Sequence, residues 1–321
     1  MIVSPDDPAI LFAKLRRSDA LSRLSPFALS ASARVRSRWK GGAEPLRHWL
    51  QVPLVQRRIC RRISGDESTT FKQYACREFL VGKRPLDVLF LGCGNGANAL
   101  DWAREGGFTS MLAIDLSPSL IAVAQASAQR QGVADRIVFS VDDVNRLDLA
   151  GRQFDTVIFE HSLHHFTDVP GVLGKVRKLL RPDGLLLADE FVGPRRFQWT
   201  GQQIAFCDAI LAGLPEAYRR TARGPEKARH HRAGEMLMWL NDPSEAVESD
   251  RIKPTLHAQF EVVAERDYGG TVSHLLFQDI AHHFAGDDAE AERWGDAVLD
   301  TEDALLAARF IASDFSCLVC R

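Results

Sequence analysis

The 321-residue chain is 45% apolar and 26% charged, with a formal net charge of −2, an ordinary globular balance long enough for one large domain or two. No run approaches eighteen apolar residues, so no membrane-spanning helix is expected, and the N-terminus lacks the compact apolar block of a secretory signal. Six scattered cysteines without a disulfide-like framework fit a reducing, cytoplasmic setting.

Residues 1–80 read as a helical extension. An apolar pattern opens at Ala9–Ala13 and continues through Leu15, Leu21 and Leu24, with helices expected over Arg57–Ile63 and Phe71–Leu80. The first 85 residues hold 17 Lys and Arg against 7 Asp and Glu, a local surplus that reads as solvated faces or as an electropositive rim for an anionic small molecule. Nucleic acid is not expected, because basic and aromatic residues do not interleave.

From Pro85 strands alternate with helices. Strands are expected at Asp87–Leu91, Met111–Ile114, Ile137–Ser140, Thr156–Phe159 and Gly184–Asp189, with helices at Ala97–Glu105, Ser119–Gln131 and Val172–Leu180. Ser117-Pro118 supplies a cap and a first-turn proline, and Arg181-Pro182-Asp183-Gly184 a turn. The pattern is an α/β, doubly wound parallel sheet over residues 81–192. Residues 193–255 break the rhythm as a long, basic, helical lid or substrate insertion. Within it, Asp242-Pro243-Ser244-Glu245 resembles a capping box, the run from Arg219 to Arg232 is basic, and Tyr218 and Arg219 are the preferred substrate contacts. Aromatic residues that could wall a pocket are Phe197, Trp199, Phe206, Tyr218 and Trp239, with Trp39 and Trp49 from the extension. Residues 256–321 add strands at Phe260–Arg266 and Phe315–Cys320, about seven strands in all. Cys317 and Cys320 have C-x-x-C spacing, but on a strand the two thiols point to opposite faces.

The segment Asp87-Val88-Leu89-Phe90-Leu91-Gly92-Cys93-Gly94-Asn95-Gly96 joins a buried strand to a turn of three alternating glycines. Asp115 closes the next strand, where a carboxylate can bond a ribose diol. Gly92, Gly94 and Ala97 also satisfy a dinucleotide pattern, so the glycines alone leave a nicotinamide cofactor open. The later series is more specific. Asp142-Asp143-Val144 ends the third strand, Glu160-His161-Ser162-Leu163-His164-His165 follows the fourth, and Arg181-Pro182-Asp183-Gly184 introduces the fifth.

In this order the series resembles the class I S-adenosylmethionine-dependent methyltransferases, in particular a small-molecule branch with an L-H-H motif. The resemblance covers about residues 85–192 and implies a Rossmann-like sheet and S-adenosyl-L-methionine as cofactor. It implies that Gly92, Gly94 and Gly96 pass beneath the methionine part, that Asp115 with Leu116 holds the ribose, and that Asp143 and Val144 meet the adenine. Phe90 stands where the family commonly has an acidic residue, so the contact near the methionine amino group is expected from elsewhere, with Glu160 a candidate.

Methyl transfer from a sulfonium is an in-line displacement in which the protein aligns the nucleophile and excludes water. An alcohol acceptor also needs a base, and histidine suits that role near neutrality. His164 is the candidate base, with His165 and Glu190 as further catalytic candidates and His161 toward the substrate. Glu190 ends the fifth strand and could pair with a histidine. No metal is expected; a set of Glu160, His161 and Glu190 was the nearest alternative. The reading is thus an enzyme that methylates a small molecule, at oxygen, on a natural-product or sugar-like intermediate. The alternatives are an NAD(P) oxidoreductase and a non-catalytic cofactor-binding protein of the same fold.

Overall fold

Five apolar runs between residues 87 and 191 form strands with parallel neighbours; the inner ones are buried on both faces, whereas the run at 137–141, at the sheet edge, exposes Val138 and Val141. They belong to a computed structural model that describes residues 1–15, 48–82, 86–106, 108–144, 146, 149 and 151–321. Leu21, Leu24 and Trp39, expected in the helical extension, lie outside the described residues.

The strands are β1 (Asp87–Leu91), β2 (Ser110–Asp115), β3 (Ile137–Val141), β4 (Phe154–Glu160), β5 (Leu180–Phe191), β6 (Val262–Gly269) and β7 (Phe315–Cys320). They make one seven-stranded sheet in the order β3-β2-β1-β4-β5-β7-β6. β1 to β5 pair in parallel, whereas β7 runs antiparallel to both β5 and β6. The parallel sheet expected over residues 81–192 is thus present, and β7 adds an antiparallel strand whose direction the sequence left open. β5 also starts earlier than expected: the Arg181–Gly184 turn lies inside it, where the β4–β5 register shifts. Arg181 ties the strand beginnings together through Asp87 (2.9 Å) and Asp155.

The helices are α1 (Asp7–Leu15), α2 (Pro53–Ser64), α3 (Phe71–Phe79), α4 (Ala97–Gly106), α5 (Pro118–Arg130), α6 (Val169–Leu179), α7 (Gly201–Gly213), α8 (Glu216–Arg219), α9 (Glu235–Asn241), α10 (Ile252–Gln259), α11 (Ser273–Phe277) and α12 (Ala289–Ala307). α3 begins at a reciprocal capping box between Thr70 and Gln73, and α5 at the Ser117 cap with Pro118 behind it. Residues of α2 to α5, α7, α11 and α12 share one apolar core with one sheet face, which includes Phe90, Ile158 and Cys317. α6 and α10 cover the other face over Val157, Leu318 and Cys320. The two thiols of the C-x-x-C pair therefore do point apart.

The segment between β5 and β6 is packed rather than loosely draped. Cys207 and Leu211 of α7 are fully buried, and Gln203 donates to Thr271 O and to Asp314 Oδ2, both at 2.9 Å. The expected capping box at Asp242–Glu245 does not start a helix. Asp242 follows the end of α9, and its Oδ1 accepts from the Ser244 amide (2.9 Å) and hydroxyl (2.7 Å), which makes a turn.

Candidate active site

The chain leaves β1 through Gly92, Gly94 and Gly96, with φ of 77°, 54° and 80°. A Cβ at Gly92 would lie 2.5 Å from the Ser162 Cβ, and one at Gly96 2.6 Å from the Ala124 Cβ; at Gly94 nothing stands within 4 Å. Packing demands the first and third glycines, while the second leaves backbone open to a ligand. Asp115 accepts from the amides of Gly94 and Ser117, each at 2.8 Å, so it braces both loops and keeps further lone pairs. Leu116 follows it, half-buried. The Asp142 amide donates to Asp115 O (3.0 Å), which brings half-buried Asp143 and buried Val144 to the same sheet edge.

Phe90 is in register with Ile158, and Glu160, two residues beyond Ile158, shares their face. A carboxylate therefore stands on the Phe90 face, one strand over. Its oxygens accept from Lys72 Nζ of α3 (2.5 Å) and Trp102 Nε1 of α4 (2.7 Å). Burial pushes the Glu160 carboxyl above the ordinary carboxylate value, against the pull of Lys72.

His161 has a positive φ of 52° and its amide donates to Asp189 O at 2.8 Å. The Asp189 carboxylate is 3.9 Å from its Nε2 and accepts from the Tyr268 hydroxyl at 2.6 Å. The His161 ring sits 6.2 Å from Phe315. Phe315 in turn meets Trp49 (4.9 Å), Phe191 (5.2 Å) and His274 (5.4 Å). Phe197 and Trp199 stack at 5.1 Å on the same group. Burial drives His274 down to about 3 and His48 to about 4, so this aromatic wall carries neutral imidazoles.

Glu190 projects from the opposite sheet face and has no exposed surface. It accepts from the amides of Ser162 (2.8 Å) and Leu163 (2.7 Å) and is 2.7 Å from His164 Nδ1. The Ser162 hydroxyl donates to Leu91 O at 2.7 Å, which ties the histidine turn to the glycine turn. His164 Nε2 lies 3.8 Å from Glu245 Oε1. The His165 ring is 4.2 Å from that of His164, and its Nδ1 is 3.4 Å from Ser244 Oγ. The turn carrying Ser244 and Glu245 is fastened by the Val247 amide to His164 O (3.1 Å) and by Arg196 to Asp242 O and Glu245 O. Burial opposes a charge on His164, but Glu190 outweighs it and raises the imidazole's pKa. Burial lowers that of His165. Glu190, despite its burial, is held below the ordinary carboxylate value by His164 and the two amides.

The family described as "Methyltransferase domain" matches residues 88–184. Residues 88–184 form a methyltransferase domain. It is similar to the 27-O-demethylrifamycin SV methyltransferase of Amycolatopsis mediterranei (strain S699), 32% identical over 40% of this chain and 48% of the relative. It is also similar to the 2-phytyl-1,4-naphtoquinone methyltransferase of Trichormus variabilis, 31% identical over 42% of this chain and 60% of the relative. A longer match, 25% identical over 75% of this chain and 93% of the relative, is to the ubiquinone biosynthesis O-methyltransferase of Rhodopseudomonas palustris (strain BisB5). The chain thus spans about half to three fifths of the first two relatives. Among solved structures, an S-adenosylmethionine-dependent methyltransferase from Mesorhizobium loti matches 78% of this chain and 97% of that chain, at 19% identity and a TM-score of 0.43.

The sheet gathers Gly92, Gly94, Gly96, Asp115, Leu116, Asp143 and Val144 at one edge, with the turn of His164 and His165 tied to the glycine turn through Ser162 and to Glu190 of β5. It does not gather Glu160, His161 and Glu190 as one set, because Glu160 and Glu190 lie on opposite sheet faces. Nor are Tyr218 and Arg219 turned to the histidines. The Tyr218 hydroxyl donates to Asp288 (3.1 Å), its ring packs on His283 and Phe284, and Arg219 pairs with Glu226 (2.6 Å). These partners, not the acceptor site, account for both residues. The basic run is largely spent internally too: Arg220 pairs with Glu216, Arg229 with Asp6, and Lys227 donates to the carbonyls of Leu275, Leu276 and Gln278 at the end of α11. Sequence reasoning missed Lys72, Trp102, Ser162 and Glu245. Only Ser162, within the histidine motif, carried a local signal.

Proposed function

We propose that this protein transfers a methyl group from S-adenosylmethionine to a hydroxyl oxygen of a small, ring-bearing acceptor, with His164 Nε2 receiving the hydroxyl proton. The observation that carries this reading is the His164–Glu190 pair, whose 2.7 Å contact fixes Nδ1 and leaves Nε2 as the proton-accepting atom. When bound, the sulfonium supplies an activated methyl group. The open backbone at Gly94, with Asp115, Asp143 and Val144, fits the nucleoside, and Glu160 faces the methionine ammonium in place of the acid absent at position 90. Glu190 orients His164 and stabilises its imidazolium, while His165, kept neutral, packs on the ring. His161 and the wall of Phe315, Phe191 and Trp49 exclude water around an apolar acceptor. Relatives named for demethylrifamycin, naphtoquinone and ubiquinone chemistry support an acceptor of that kind.

Calorimetry with S-adenosylhomocysteine and NADH, followed by turnover on a panel of phenolic and alcoholic acceptors, tests the reading. We expect one equivalent of S-adenosylhomocysteine and no NADH to bind. His164→Ala should lower kcat by about 10²-fold or more while leaving S-adenosylhomocysteine affinity within about twofold. NADH binding without the sulfur compound overturns the cofactor, and an unchanged kcat overturns the base.

A further inference from the structure

Beside His164 and His165 stands a carboxylate, Glu245, that the methyl-transfer reading does not use. One ligating atom from each of His164, His165 and Glu245 lies within 4.8 Å of the others. Two imidazoles and a carboxylate are a common donor set for zinc-class cations. Around a tetrahedral ion with bonds of roughly 2.0–2.2 Å such atoms stand about 3.4 Å apart. The separation of 3.8 Å between His164 Nε2 and Glu245 Oε1 is close to that, and a small side-chain rotation closes the rest.

Three further features suit a cation. The outer nitrogen of His164 is bonded to the buried Glu190 carboxylate, the arrangement that fixes and strengthens a metal-ligating imidazole. The charges favour a cation: the Glu190 and Glu245 carboxylates lie 2.7 and 3.8 Å from the two His164 ring nitrogens, and a divalent ion is attracted to such a pair. Arg196 is the cation facing this group from the other side, bonded to the Asp242 and Glu245 carbonyls rather than to the carboxylates. Finally, Glu245 is held in place by its backbone. Ala246 beside it has a φ of 46° and is fully buried, its carbonyl accepting from the Arg196 amide at 2.6 Å.

We propose that His164, His165 and Glu245 bind one divalent cation of the zinc class, with Glu190 as the outer support of His164. The cation takes the lone pair of His164 Nε2 and displaces any proton held there, so one site serves either as proton acceptor or as metal ligand. A bound cation therefore inhibits methyl transfer. The binding claim does not depend on the transfer reaction, since it is measured without cofactor or acceptor; only the inhibition rests on the proposed function.

The test is titration of the tag-free full chain, first stripped with chelator, with Co²⁺ as the optical probe and Zn²⁺ as competitor. The expected result is one saturable equivalent of Co²⁺ with tetrahedral visible absorption, displaced by Zn²⁺. His165→Ala and Glu245→Gln should each weaken it at least about tenfold and Glu190→Gln by about 10–100-fold. His257→Ala, at an exposed histidine bonded to Glu265, should leave it unchanged. In the unaltered protein, Co²⁺ should shift the imidazole proton resonances of two histidines, a readout that does not require any variant to fold. Absence of saturable binding, binding indifferent to both His165→Ala and Glu245→Gln, or no shifted imidazoles overturns the proposal. Loss of methyl transfer in metal-free protein would instead count against the proposed function and leave the metal titration standing.

Discussion

Glu190 shows how one carboxylate can organise a site. It has no solvent contact, yet receives two backbone amides and the His164 ring, so its charge is matched by donors fixed by the fold. Removing one member of such a buried pair leaves the other uncompensated, which costs roughly 3–5 kcal/mol. Glu190→Gln should therefore lower unfolding free energy by about 3 kcal/mol and lower the His164 pKa, because burial is then opposed only by Glu245 and Asp242. The pH dependence has two arms. Glu190 is lowered, so its contribution is present above the ordinary carboxylate value of 4.5 and is lost as pH falls through the folded value. His164 is raised, so its contribution is full below the ordinary 6.5 and is lost as pH rises through the folded value. The stability gap between native protein and variant, measured by urea unfolding across pH, should peak between those two ordinary values; a flat gap would refute the ion pair. The pairing of Glu190 with a histidine was legible because the histidine motif follows β4 and Glu190 lies at the end of the neighbouring β5. Glu245 was not, because its contact with His164 joins distant parts of the chain and no periodicity encodes it.

Among elements, the glycine turn separates packing from ligand space. Alanine at Gly92 or Gly96 would place a Cβ 2.5–2.6 Å from a neighbouring Cβ, and each position also has positive φ, which costs a side chain roughly 1–2 kcal/mol. At Gly94 only the backbone cost applies. Gly94→Ala is therefore expected to fold with a loss of about 1–2 kcal/mol and a sharp fall in S-adenosylhomocysteine affinity. Gly92→Ala and Gly96→Ala should lose clearly more stability. Denaturant unfolding alongside calorimetry distinguishes the two patterns, and a Gly94→Ala protein that binds as before would remove that glycine from the cofactor site. The strand–turn–helix unit was readable because its glycines, its cap at Ser117 and its apolar runs agree. The reading failed at Asp242–Glu245, where the same cap-forming residue types close a turn instead; a carboxylate that reaches a hydroxyl two residues on serves either structure, and no apolar periodicity followed to decide.

Over the whole molecule, the final strand slots between β5 and β6. Its six residues are all buried, whereas β6, at the sheet edge, alternates with exposed positions. The apolar run at 315–320 announced a strand, but its direction, neighbours and central place depend on how the chain crosses the sheet, which local sequence does not encode. Central placement has a chemical consequence. All six cysteines are free, and only Cys76 is half-buried. Alkylation requires the thiolate, and burial raises Cys320 to about 12 and Cys317 well above its ordinary value, so neither reacts while the sheet is closed. Cys317 and Cys320 also face different cores, so no opening of one sheet face exposes both. With iodoacetamide, Cys76 should react first, and Cys317 and Cys320 should react together at the rate of global unfolding, matching Cys207 of α7. Mass spectrometry of timed digests reads this directly. If Cys320 were modified well ahead of Cys317 and Cys207, β7 would be peeling from the sheet on its own, and its central position would not be the anchor of the fold.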